Sequence, residues 1–220
     1  MSLYDAWTAL CDEFDPLINH LRDFTAARPI ISASAHFVTE DECLLEGLLS
    51  RVWQAWGTFC RACVMESCVG TIDGAGAPIV PHPQAASEAH VSAAAINAKK
   101  KPNPPFWGST NTVLRHEPTW GDVDLLTKII PRLHPSNEAQ LMAAFSSAHR
   151  SAKALQLIRN AAAHNNSETR AALQPLWSRF VIFPTTHPIQ SLYWVESSTH
   201  DYLVFHAVEE LRDAGLDAIS

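Results

Sequence analysis

No run of about 18 apolar residues occurs in the chain, so it offers no candidate helical membrane span. Cationic charge is scarce as well: 16 lysines and arginines stand against 23 acids, a formal net charge of −7. That balance argues against the broad basic footprint of non-specific nucleic-acid binding. Cysteines number five, at 11, 43, 60, 63 and 68, an odd count with the last three inside one apparent helix, which does not form a disulfide framework. Cys60-x-x-Cys63 has no second Cys/His pair at finger-like spacing, and the eleven histidines contain no HxxxH, so the spacing nominates no metal site and no cofactor. The opening MSLYDAWTALCDEFD carries acids where a secretory signal carries bases, and it lacks an apolar centre. The expectation is a cytoplasmic protein with buried, reduced thiols. No internal repeat is visible, and no motif nominates a serine or cysteine nucleophile.

What is present points to a folded, helical chain. A hydrophobic content of 47% with seven tryptophans argues against disorder, and 220 residues suffice for one good-sized core, or one domain plus an elaboration. Residues 3–26 repeat apolar side chains at three- and four-residue steps (Tyr4, Trp7, Leu10, Phe14, Leu17, Leu21, Phe24), with Asp15-Pro16 as a kink or a break. Thr39 with Glu40, Asp41 and Glu42 opens a second helix running to about Cys68, striped by Leu45, Leu49, Val52, Trp56 and Cys63, with Gly70 as its stop. Residues 71–107 change regime to glycine, proline and alanine. They read as an insertion, mostly loop with a short helix around 85–100, serving as lid, dimer arm or disordered excursion. Residues 107–115 are β-prone. Asp122 caps a helix that Pro131 and Pro135 close, and Ser136 or Asn137 caps the next. Ser146-Ser147 marks either a break or a continuation. Leu173, Leu176, Trp177 and Phe180 form a further apolar face; 180–184 and 191–195 are β-prone and pair as a short hairpin. A final helix begins at Ser198 or Thr199 and ends near Gly215. The fold class is therefore all-α: a helical bundle forming a single domain over 1–220, with an insertion at 71–107 and one short β-hairpin near 180–195.

The chemistry-bearing stretch is SAKALQLIRNAAAHNN, residues 151–166. Alanine and leucine favour helix to at least Ala163. Four-residue spacing puts Asn160 on the same face as His164, while Arg159 lies five residues earlier, about 140° round the axis. The three alanines leave a bare patch that something large can approach, and Arg, Asn and His together suit an anionic ligand. From spacing alone the same residues also read as a plain helix end, because asparagines and basic side chains are common there. Local charge favours the anion: between residues 146 and 170 lie Arg150, Lys153, Arg159 and Arg170 against one acid, Glu168.

An Arg followed by a polar residue and, after a short spacer, a His, all ending an apolar helix, resembles the signature of the HEPN superfamily. Arg159, Asn160 and His164 match it position by position. The resemblance covers the helical segments 44–68 and 141–180 and leaves the first 30 residues and the tail after Pro184 unmatched. It implies an all-helical domain acting as a metal-independent endoribonuclease. Two motif helices would face each other across a homodimer cleft, and the products would be a 2′,3′-cyclic phosphate and a 5′-hydroxyl. On this reading Arg159 holds the phosphate, His164 moves the proton and Asn160 orients the imidazole. A further polar group would come from a neighbouring helix, with Arg61 and Glu66 as the residues to watch; as ordinary residues they read as solvent-facing charges. The family's usual settings are toxin–antitoxin pairs, phage defence and RNA processing, which imply an inhibitory antitoxin or another regulatory partner. The alternative is a non-catalytic HEPN-like module that binds RNA, a nucleotide or a protein.

Overall fold

In the computed structural model residues 1–27, 37–100, 107 and 114–220 are described. Most of the connection expected at 30–39 and of the extended stretch expected at 107–115 lies outside them, as do Lys101 and the three prolines that follow it. The described end of the second stretch, Leu114–His116, is a 3-10 turn.

The fold is mostly α, as the periodicity implies. Its helices are α1 (Leu3–Ala27), α2 (Thr39–Val69), α3 (Glu88–Lys100), α4 (Val123–Leu133), α5 (Glu138–Ser147), α6 (His149–His164), α7 (Ser167–Ala171) and α8 (Leu203–Ile219). Two small antiparallel pairs accompany them: β1 (Thr71–Ile72) with β2 (Pro78–Ile79), and β3 (Phe180–Val181) with β4 (Val195–Glu196). The second answers to the hairpin expected near 180–195, but its second arm starts only at Val195, because Pro188–Tyr193 form a 3-10 segment instead of strand.

Local chemistry sets the boundaries. α1 runs unbroken through Pro16, because the proline sits on the exposed face, where water can serve the carbonyl left without its helical donor. Its buried stripe is Leu3, Ala6, Leu10, Phe14, Leu17, Ile18, Leu21 and Phe24, while Tyr4 points out. At the start of α2 the buried Asp41 carboxylate accepts the Val38 N–H at 2.9 Å. Gly70 ends that helix at φ 93, a conformation suited to glycine. α4 is capped by Asp122 as expected but passes through Pro131 and stops at His134 in a left-handed turn. Ser146-Ser147 proves a break, with Ala148 between α5 and α6.

Contacts divide the chain into two compact units. The first comprises Met1–Cys11, Trp56–His149 and Arg212–Ser220. Within it α3 packs on α4 and α4 on α5. Trp56 is fully buried between Phe59 and the edge of Phe145, at ring-centre distances of 5.7 and 6.0 Å. The region 71–107 supplies more than loop: Val91, Ala94, Ala95 and Ala98 of α3 are wholly buried, their small side chains allowing close packing. The second unit comprises Asp12–Ala55 and Arg150–Leu211. Its aromatic centre is Tyr193, fully buried against Phe24, Phe37 and Tyr202.

Candidate functional site

α6 carries the motif, and its burial follows the helical repeat. Ser151, Ala154, Leu155, Ile158, Ala161 and Ala162 face inward. The Ser151 hydroxyl donates to the Glu210 carboxylate of α8, fixing the start of the helix. Arg159 and Asn160 sit half-buried on the shoulders of that stripe, and Ala163 and His164 are exposed.

Beyond His164 the chain turns sharply. Asn165 takes a left-handed conformation, φ 42, which asparagine tolerates better than most residues, and its N–H still reaches the Ala161 carbonyl at 2.8 Å. Asn166 then caps α7: its side chain accepts the Thr169 N–H at 2.9 Å, and Thr169 returns a bond to the Asn166 N–H. Arg170 clamps the turn, donating through Nε to Asn165 Oδ1 at 2.8 Å and through its terminal nitrogen to the Thr186 carbonyl at 2.9 Å. The two asparagines after the histidine therefore work as helix terminators.

Arg159 opens onto a groove of about 160 Å³. α2 gives Glu46, Leu49 and Ser50 as one wall; α6 gives Arg159, Ala162 and Ala163 as the other; Ile189 closes it. The alanines do leave room beside the guanidinium. Asn160 and His164 are not among the lining residues, consistent with their rotation round the helix from Arg159. Within one chain the groove thus gathers the arginine and the alanines, while the histidine stands in solvent on the adjoining face. Among the described residues neither the Arg159 nor the His164 side chain has a hydrogen bond or an ion pair. Glu46 is tied back by His187, whose Nε2 lies 3.4 Å from its carboxylate. Beside it Gln190 bridges Glu42 and Thr186, each at 2.9 Å.

Glu46 and Ser50 were not legible as groove residues. The only signal is their four-residue spacing on α2, which any exposed helix face shares. Arg61 and Glu66, singled out from the sequence, are engaged elsewhere in the first unit. Arg61 forks onto Glu117 at 2.9 and 3.1 Å and touches Glu88 at 3.3 Å. Glu66 meets the N-terminal ammonium at 3.5 Å. Neither is a free solvent-facing charge: their side chains are 30% and 15% exposed.

Among the described residues no group of three His, Cys, Asp or Glu side chains is placed to hold a metal ion, and no helix is long and apolar enough to cross a membrane. Comparison with protein families, with curated proteins and with solved structures finds no match to this chain.

Proposed function

We propose that this chain is a HEPN-like, metal-independent endoribonuclease that works as a homodimer. The reading rests on one observation: Arg159, Asn160 and His164 are all reachable by solvent at the end of α6, with the arginine and histidine side chains uncommitted among the described residues. A guanidinium beside bare alanines is placed to meet a phosphodiester.

The chemistry runs as follows. An imidazole takes the proton from the ribose 2′-hydroxyl, since histidine exchanges protons near neutral pH. The 2′-oxygen bonds to phosphorus, and the Arg159 fork steadies the extra charge on the five-coordinate centre. The bond from phosphorus to the 5′-oxygen breaks, and a second imidazole returns a proton to that oxygen. The products are a 2′,3′-cyclic phosphate and a 5′-hydroxyl. Because each chain offers one His164, on a face turned away from its own Arg159, the second copy completes the site: motif helix against motif helix, with guanidinium and imidazole meeting across the cleft. Asn160, one turn before His164, orients the ring.

A second reading has its own support. The Glu46 carboxylate lines the Arg159 groove and would repel a phosphate there; this favours a module that binds RNA, a nucleotide or a protein without cutting. Incubation with single-stranded RNA in EDTA separates the two. The nuclease reading expects cleavage, and loss of it in Arg159→Ala or His164→Ala with unchanged circular dichroism. Intact RNA with every preparation supports the binding module.

A further inference from the structure

A larger cavity, about 440 Å³, is lined in part by the same segment that closes the Arg159 groove. Pro188 lines this one and Ile189, the next residue, lines the groove. The Trp194 ring is 3% exposed, and its indole N–H donates to the Phe183 carbonyl at 3.2 Å, so it cannot swing out. The 3-10 segment Gln174–Ser178 brings Trp177 to the lining as well, 49% exposed. Ile182, 41% exposed, and Phe183 complete the apolar lining. The half-exposed Trp177 ring gives this apolar lining a face on which another ring can lie.

The rim also holds a fixed cation. Arg170 uses two of its five N–H donors on Asn165 and the Thr186 carbonyl. Among the described residues its remaining donors have no partner, and Arg170 lines the cavity. Asn165 directly follows His164, so this guanidinium is bonded to the residue next to the motif.

We propose that this cavity receives an unstacked purine, guanine first, from the single-stranded RNA whose phosphate Arg159 holds; the inference rests on the RNA reading above. A base offers a flat π-face to the half-exposed Trp177 indole and an acceptor edge to the guanidinium. Guanine offers O6 and N7 side by side, the pair that an arginine fork reads best.

The test measures binding in a background that cannot cut. In the His164→Ala chain, affinity is read by anisotropy for labelled oligouridine with and without one central guanosine. Trp177→Ala should weaken the guanosine oligonucleotide on the order of 10- to 100-fold, the range for one lost stacking contact. Arg170→Lys, which keeps the charge but not the fork, should bring the guanosine and uridine oligonucleotides to equal affinity. Both sites are at the surface, and circular dichroism should show unchanged folds. Equal affinities in parent and Trp177→Ala overturn the inference even if the wild type cleaves RNA, and leave the cavity to a protein partner. Equal affinity of the parent for the two oligonucleotides overturns its guanine preference. If the wild type leaves RNA uncut while the two variants behave as stated, the cleavage reading fails and the base site stands.

Discussion

Glu117 keeps its charge with 7% of its side chain exposed, because both oxygens are used. One takes Arg61 and the Ser92 hydroxyl at 3.1 and 2.6 Å; the other takes Arg61 and the Trp120 indole at 2.9 and 2.8 Å. Burial alone would raise its pKa, but the Arg61, Ser92 and Trp120 bonds outweigh that and hold the carboxyl below its ordinary value of 4.5. A carboxylate depressed in this way stabilises the fold above the unfolded value, and the contribution is lost as pH falls below it. Glu117→Gln should therefore lower stability near neutral pH by about 2–3 kcal/mol, short of the cost for a fully buried broken pair because Arg61 keeps partial solvent access. It should also flatten the acid limb below pH 4.5; thermal melts of both chains across that range check it, and an unchanged neutral melt would refute it. The cysteines give a second residue-scale outcome. Burial pushes the Cys60 and Cys63 thiols well up and Cys68 up to about 12, whereas Cys43 lies exposed. A thiol reagent should label Cys43 in the native chain and reach Cys60, Cys63 and Cys68 only in denaturant. Prompt native labelling of Cys63 would contradict this packing.

At the scale of single elements, α8 shows why a breaker can fail to break. The sequence ends the last helix near Gly215, yet α8 continues to Ile219. A Cβ there would lie 3.2 Å from the Trp7 ring and 3.3 Å from Leu10, so the glycine serves close approach to α1 rather than termination. Gly215→Val should cost about 1–3 kcal/mol by overpacking, readable as a lower urea midpoint; a raised midpoint would show the site to be loose. Ser198 and Thr199 likewise do not open α8, because their backbone N–H groups and hydroxyls gather on the Glu196 carboxylate and hold that carboxyl down to about 2. Elements with a strong stripe, α1, α2 and α4, were legible, as were Asp122 as a cap and the β3–β4 pairing. Trp177 was not: a helical repeat places it beside Leu173 and Leu176 in the core, but a 3-10 segment rotates it outward. The short helix expected within 85–100 was legible too. Its burial was not, since a run of alanines marks a helix without telling what covers it. Of the candidate site, the helix and its terminating asparagines could be read; the α2 wall of the groove could not, because tertiary contact alone selects Glu46 and Ser50.

For the whole molecule, the net charge of −7 limits how the proposed RNA substrate would be held. A chain without a basic track can engage few phosphates, so binding should respond weakly to salt. With about two phosphates neutralised, log K against log salt should slope near −1.4, using −0.7 per contact on a single strand. Titrations of the His164→Ala chain from low to physiological salt give that slope directly, and a value several times steeper would reveal a cationic surface that this account lacks. The proposed homodimer belongs to the same scale, since one chain alone does not line up Arg159 with His164 in one groove. The most direct measurement is cleavage of single-stranded RNA in EDTA by the wild type, Arg159→Ala and His164→Ala, each checked for fold and assembly state. The account predicts cyclic-phosphate products from the wild type and a loss of at least about 100-fold in either variant, the lower range for removing a general acid–base group. Wild-type cleavage that survives both substitutions would contradict it.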